Sequence, residues 1–218
     1  MKTRKSLRKD KRGFTGLEAA IVLTAFVVVA AVFSYVVLNA GFFTTQKAKQ
    51  VVHSGVEQAT SAAELAGSVI GYSMTQSGDC LTETTSGSYV NATRFYLQLT
   101  AGQTPLGMDG MSISYTDADS HVGNVSYNSS GGSVEINASS NLGLKPGEWN
   151  FTIIGTSGFG DSDDMLELGE LAQVTVALPE PGVAADGWFV IEVKPAKGAT
   201  LAIDRDAPGA IDAVMDLL

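Results

Sequence analysis

The hydrophobic pattern of the chain changes twice. Residues 1–12 are mostly polar, with basic side chains at Lys2, Arg4, Lys5, Arg8, Lys9, Lys11 and Arg12. From Ala19 to Gln46 no side chain is charged, and Ala, Val, Leu, Ile and Phe dominate. A run with no wet face predicts a helix surrounded on every side by lipid or by other helices. It also exceeds the roughly 20 residues that cross a bilayer. Further on, Lys47, Lys49, His53, Glu57 and Glu64 alternate with Val51, Val52, Val56, Ala59, Ala63 and Leu65, a helical pattern with one polar face. One helix is therefore expected over residues 14–72, about 88 Å long at 1.5 Å per residue. Gly41, Gly55 and Gly67 each weaken it by about 1 kcal/mol relative to Ala, and a bend is expected near Gly41 or Gly55. Gly71 and the polar run at 73–88 end the helix and form a linker.

From Tyr89 onward the period becomes two. Phe95, Leu97 and Leu99 alternate with Arg94, Tyr96 and Gln98, and Met111, Ile113 and Tyr115 alternate with serines. Further strands are expected at 122–127, 133–137, 149–154, 173–178, 188–193 and 200–203. Short strands between Gly, Ser, Asp and Pro turns predict an antiparallel sandwich over residues 89–204. The fold class is α+β, a long N-terminal helix followed by that sandwich. The tail at 205–218, with Ile211, Val214, Leu217 and Leu218, is expected either to dock on a neighbour as a short apolar turn or to fray.

Charge sharpens the picture. The whole chain carries a net charge of −9. Residues 1–13 hold seven of the 14 basic residues and one acid, so residues 14–218 carry seven basic against 22 acidic side chains, a balance of −15. That excludes a nucleic-acid partner, which would require clustered Lys and Arg. The basic head keeps residues 1–13 on the cytoplasmic side, with the rest exported. Cys80 is the single cysteine, so no internal disulfide forms, and it reads as a small half-buried thiol. His53 and His121 have no recognisable nucleophile motif beside them, and no Walker loop is present. An enzyme is not expected.

The junction Lys11-Arg12-Gly13 followed by Phe14-Thr15-Gly16-Leu17-Glu18 resembles the class III, prepilin-type signal peptide of the archaeal flagellins, or archaellins, of the type IV pilin-like superfamily. An ordinary secretory signal is cut after its apolar segment; here the abrupt boundary precedes it. The apolar stretch from Ala19 to Phe43 and the segment Glu192-Val193-Lys194-Pro195-Ala196-Lys197-Gly198-Ala199-Thr200-Leu201 also resemble that family. The resemblance implies an immunoglobulin-like outer domain, cleavage between Gly13 and Phe14, and assembly into an archaellum filament outside the cell. The precursor would sit in the cytoplasmic membrane. Implied partners are further copies or paralogous archaellins, a prepilin-type signal peptidase, the archaellum motor, an export ATPase and a membrane platform. The rivals are a non-rotating archaeal adhesion pilin and a membrane-anchored sandwich that binds a solute.

Gly16 and Glu18 are the candidate assembly residues within the helix. A carboxylate in apolar surroundings requires a counter-charge or a proton. Cleavage creates an α-amine on Phe14, positively charged near neutral pH, one helical turn from Glu18. The small residues Ala19, Ala20, Ala25, Ala30 and Ala31 allow close helix approach. Five N-x-[ST] sequons stand at Asn91, Asn124, Asn128, Asn137 and Asn150. By strand parity Asn124, Asn128, Asn137 and Asn150 face outward, where a glycan fits, whereas Asn91 shares parity with Phe95. The densest acidic stretch holds Asp161, Asp163, Asp164, Glu167 and Glu170. Hard cations such as Ca²⁺ take several carboxylate oxygens, which makes Asp161, Asp163 and Asp164 metal candidates. The spacing is not that of an EF-hand, since Leu166 and Ala172 replace its Gly and Glu, and a solvated acidic turn with no cofactor is the favoured reading.

Overall fold

The computed structural model describes residues 11–60, 62–77, 80–100, 104–129, 142–155 and 163–217. They fall into two compact units that divide between Ser54 and Gly55. Helix α1, Lys11–Thr60, has 50 residues, a length of about 75 Å. It runs unbroken through Gly41 and Gly55. Three of its threonine hydroxyls bond its own backbone: Thr24 donates to the Ile21 carbonyl at 2.9 Å, Thr44 to Ala40 at 2.8 Å and Thr45 to Gly41 at 2.8 Å. These polar atoms thus do not oppose apolar surroundings.

The helix ends at Thr60, not at Tyr72. The following residues form β1 (Ala63–Leu65) and β2 (Val69–Tyr72). Both lie beside β6 (Ala92–Leu99), with Ala63 opposite Leu99, Leu65 opposite Leu97, Ile70 opposite Arg94 and Tyr72 opposite Ala92. Gly67, at φ +84°, separates them, a left-handed backbone that no helix continues through. The supposed linker also has structure. Strands β3 (Met74–Ser77) and β4 (Cys80–Thr84) pair as an antiparallel hairpin, followed by β5 (Tyr89–Val90). Tyr72, Met74, Leu81, Ala92, Leu142, Leu144 and Ala177 pack there as a second, smaller core.

Beyond β6 come β7 (Leu106–Gly107), β8 (Ser112–Asp117), β9 (His121–Tyr127), β10 (Glu148–Gly155), β11 (Met165–Leu166), β12 (Glu170–Ala177), β13 (Val183–Ala184), β14 (Trp188–Lys194), β15 (Leu201–Asp206) and β16 (Val214–Leu217). The expected strand at 133–137 lies outside the described residues. The main sheet runs β15-β14-β8-β9-β10-β12-β6-β2-β16, with β1 also on β6. Every pairing is antiparallel except β9 with β10. Inward residues of β6 and β12 (Phe95, Leu97, Val174, Val176) share one core with those of β8, β14 and β15 (Ile113, Tyr115, Phe189, Ile191, Ile203). Two halves of a sheet thus enclose one interior, as the period-two pattern predicts.

The tail neither frays nor waits for a neighbour. Strand β16 pairs with β2 of its own chain, Val214 opposite Tyr72 and Leu217 opposite Val69. Leu217 lies so near Gly71 that a Cβ there would stand 2.9 Å from Leu217 Cδ2. Gly71 is therefore a close-packing glycine within a sheet, not a helix stop.

Candidate assembly helix and outer surface

Helix α1 presents apolar side chains on every face, and among the described residues nothing in its own unit covers them. Phe26, Phe33, Tyr35 and Phe42 are each at least 65% exposed, and Ile21, Val29 and Leu38 are open as well. Residues Gly16–Gln58 are long and apolar enough to cross a membrane, with mean hydropathy reaching 2.8. Isolated surface hydrophobics need no explanation, but a continuous apolar surface of this extent marks an interaction site. Gly13 and Phe14 lie near the start of the helix. Gly16 has open space about it and Glu18 is exposed. Residues 14 and 18 are one turn apart along α1, on the same face. Farther along, Lys47 donates to Gln50 Oε1 at 3.2 Å and stands 6.0 Å from the Phe43 ring centroid.

In the second unit the segment from Glu192 to Leu201 forms the end of β14, the β14–β15 turn and the start of β15. Lys197 in that turn donates to Glu57 Oε2 at 3.1 Å. The pair is partly exposed, and pairs of this kind contribute about 0–1 kcal/mol.

The sequons divide sharply. Asn124 is exposed. In the β8–β9 ladder Ile113 faces Val125 and Tyr115 faces Val122, so Gly123 and Asn124 together oppose Ser114. This is a bulge, which bends the strand and re-aims its side chains. Asn150 corrects the outward expectation. It does face away from Trp149 and Phe151, but it is only 8% exposed and its Nδ2 donates to the Asn128 carbonyl at 2.6 Å. Its neighbour across the ladder, Thr175, is buried too. Strand parity assigns a face; it does not reveal that Asn128, just beyond β9, takes the Asn150 amide. Asn128 is half-buried and donates to Glu148 Oε2 at 2.8 Å. Asn91 is a tether as well: Oδ1 accepts from the Met74 backbone at 3.3 Å, and Nδ2 donates to the Pro181 carbonyl at 3.4 Å. Asn137 lies outside the described residues.

The acidic stretch shapes turns. Asp163 Oδ1 accepts from the Met165 backbone at 2.9 Å, and Glu170 Oε2 accepts from the Glu167 backbone at 2.9 Å. The Asp164 carbonyl accepts from Met108 at 2.9 Å beside the small β7–β11 ladder. Asp161 lies outside the described residues. Among the described residues no group of three His, Cys, Asp or Glu side chains is gathered to hold a metal. Burial, and then the charges of Asp164 and Asp109, push the Tyr127 hydroxyl up. Tyr127 packs on Trp149 and Phe151, with ring centroids 4.9 and 5.6 Å away. Cys80 is a half-buried free thiol at the start of β4. The exposed His121 bonds Thr116 Oγ1 through Nδ1 at 2.7 Å.

An uncovered apolar helix that leads into a folded sheet domain requires lipid or other helices around it. Comparison with known proteins identifies which. The family model for archaeal-type flagellin matches residues 13–205. The chain belongs to the archaeal-type flagellin family. A probable flagellin of Archaeoglobus fulgidus is 43% identical to this flagellin over 215 residues, covering 96% of this chain and 97% of that one. A structure of the archaeal flagellum of Methanospirillum hungatei matches with a TM-score of 0.60 at 31% identity, covering 93% of this chain and 98% of that one. A crystal structure of a flagellin from Methanocaldococcus jannaschii shares the fold, with a TM-score of 0.51 at 15% identity over 72% of this chain and 97% of that one.

Proposed function

We propose that this flagellin is a structural subunit of the archaellum, polymerising through α1 into an extracellular filament for swimming. The observation that carries the reading is the helix: its large apolar side chains are open on all faces, in a chain similar over 93% of its length to a flagellum subunit. The family match ranks this above the adhesion pilin and the membrane-anchored binding protein. Repetition of one heterologous contact without closure produces a filament. Helices form its core and the acidic sheet domains its wall. Before assembly the precursor spans the membrane, residues 1–13 inside. A prepilin-type peptidase removes them between Gly13 and Phe14. The motor, export ATPase and membrane platform are the remaining partners. Helices that leave lipid for a helix bundle gain little from the hydrophobic effect, so packing and work done by the ATPase supply the drive.

Within that filament the new Phe14 amine pairs with Glu18, on the same chain or a neighbour, and sets helix register. An unpaired buried charge would cost about 3–5 kcal/mol, more than the roughly 0.3–1 kcal/mol of a dipole effect. Of the described sequons the bulged Asn124 is the one shaped to carry a glycan on the folded domain, since Asn91, Asn128 and Asn150 spend their amides on structure. The test is mass spectrometry of sheared filaments. We expect this chain as a filament component beginning at Phe14, with modification at Asn124. Recovery of this chain only from membranes, or a filament subunit that retains residues 1–13, contradicts the reading. Glu18→Gln should be cleaved normally yet assemble poorly; filaments of unchanged yield and symmetry would leave only the dipole role.

A further inference from the structure

At the turn between β11 and β12 the sheet domain has a depression of about 380 Å³, lined by Gln98, Leu99, Leu168, Gly169, Glu170 and Leu171. Leu168 is exposed and Leu171 half-buried, so two of its walls are aliphatic. Glu170 is only 4% exposed. Its Oε2 accepts from the Glu167 backbone at 2.9 Å, and no donor among the described residues meets Oε1. Gln98 fixes its amide by donating from Nε2 to Glu64 Oε1 at 2.7 Å, which leaves its carbonyl oxygen to accept. A carboxylate and an amide oxygen thus lie open beside leucine. A carboxylate so far out of water is costly without a cationic partner. A hard metal ion takes roughly six to eight oxygens, more than these two side chains supply. A lysine matches the depression: its aliphatic stem lies on the leucines and its ammonium donates to the oxygens.

Cations are scarce in this chain, with seven basic against 22 acidic side chains over residues 14–218. Lys47 bonds Gln50, Lys197 bonds Glu57 and Arg94 is buried. Lys49 and Lys194 are exposed, and neither ammonium has a partner among the described residues. Lys194 belongs to the sheet domain, at the end of β14. Its strand runs into the turn whose Lys197 holds Glu57 of α1. The depression also lies near the point where α1 enters the domain, since Leu99 pairs with Ala63 and Thr100 donates to the Ala62 carbonyl at 3.0 Å. Lys194 and the depression are therefore at one end of the domain but on strands of different halves of the sheet. A copy placed alongside can bring the two together.

Resting on the filament reading above, we propose that Lys194 of a second copy enters this depression and pairs with Glu170, joining neighbouring sheet domains side by side in the filament wall. The contact is heterologous, so it repeats along a helical array without closing. It sets an ammonium against a carboxylate between surfaces that otherwise repel, since residues 14–218 carry a balance of −15. Carbodiimide, which joins an amine to a carboxylate with no spacer, tests it on sheared filaments. Peptide mass spectrometry should find Lys194 linked to Glu170 in filaments and not in detergent-solubilised subunits. Lys194→Glu and, separately, Gln98→Lys should each cut filament yield about tenfold with the sheet domain still folded. The double variant, which exchanges the two charges, should restore most of that yield. Filaments that contain this chain without the linkage, a linkage from Lys49 instead, normal assembly of both single variants, or no rescue by the double variant overturn this proposal and leave the filament reading intact. The same linkage in detergent-solubilised subunits places the contact within one chain and overturns it too. Absence of this chain from every filament sinks both.

Discussion

The helix and the sheet domain contain similar side chains and use them in opposite ways. Phe95, Leu97, Val174 and Ile191 are fully buried within their own chain. Phe26, Phe33, Val29 and Leu38 are as apolar, yet each is more than half exposed. The sheet domain is completed by its own strands, down to β16 closing over β2. The first unit has no interior to close. Its apolar side chains are left for partners outside the unit, so one chain contains a folding problem solved within it and another that its own unit does not solve.

Matched truncations break this comparison most strongly. Phe95→Ala should destabilise the sheet domain by about 3–5 kcal/mol, the usual cost of deleting a buried ring. Thermal unfolding of detergent-solubilised subunits should show it. Phe42→Ala, the same deletion on the open helix, should leave that unfolding transition in place and reduce filament yield instead. Equal loss of domain stability from both variants would erase the distinction.

A smaller effect is expected where the C-terminal strand closes the sheet. Gly71→Val forces branched carbons against Leu217, and overpacking of this kind costs about 1–3 kcal/mol. Proteolysis should then release the β16 segment sooner, and unchanged resistance would show that β16 contributes nothing to closure.

The smallest effect concerns acid. Burial alone would raise the Asp117 carboxyl, but hydrogen bonds from the Tyr115 hydroxyl, the Asp119 and Ser120 backbones and the Ser120 hydroxyl outweigh it and hold it below the usual carboxylate range. The Tyr115 contact is 2.6 Å. A depressed carboxyl stabilises the fold above the unfolded value of about 3.9 and loses that contribution as pH falls through the folded value. Protection of amides in the β8–β9 turn, measured against their intrinsic exchange rate, should therefore fall below about pH 4, while protection in β6 should hold. The same acid response in both would disprove a local role for Asp117.

Much of this architecture was legible in the sequence because its signals are periodic. The uncharged run from Ala19 to Gln46 announces the open helix, and Phe95, Leu97, Leu99, Ile113 and Tyr115 lie inward as their alternation predicts. The boundary after Thr60 was misread because Ala63 and Leu65, spaced for a strand, also suit a helix face. Only pairing with β6, and the backbone of Gly67, decides between them. Strand β16 and the burial of Asn150 depend on contacts between residues far apart in sequence, which no local period encodes.

Hydrogen exchange of α1 in sheared filaments, set against the same subunit in detergent, tests the central claim most directly. Assembly should slow exchange along the helix, Phe26 to Phe43 most of all, to the level of β6 and β12, while those two strands remain as they were. A helix that exchanges as freely in the filament as in detergent, with protection gained in the sheet domain instead, would contradict the account.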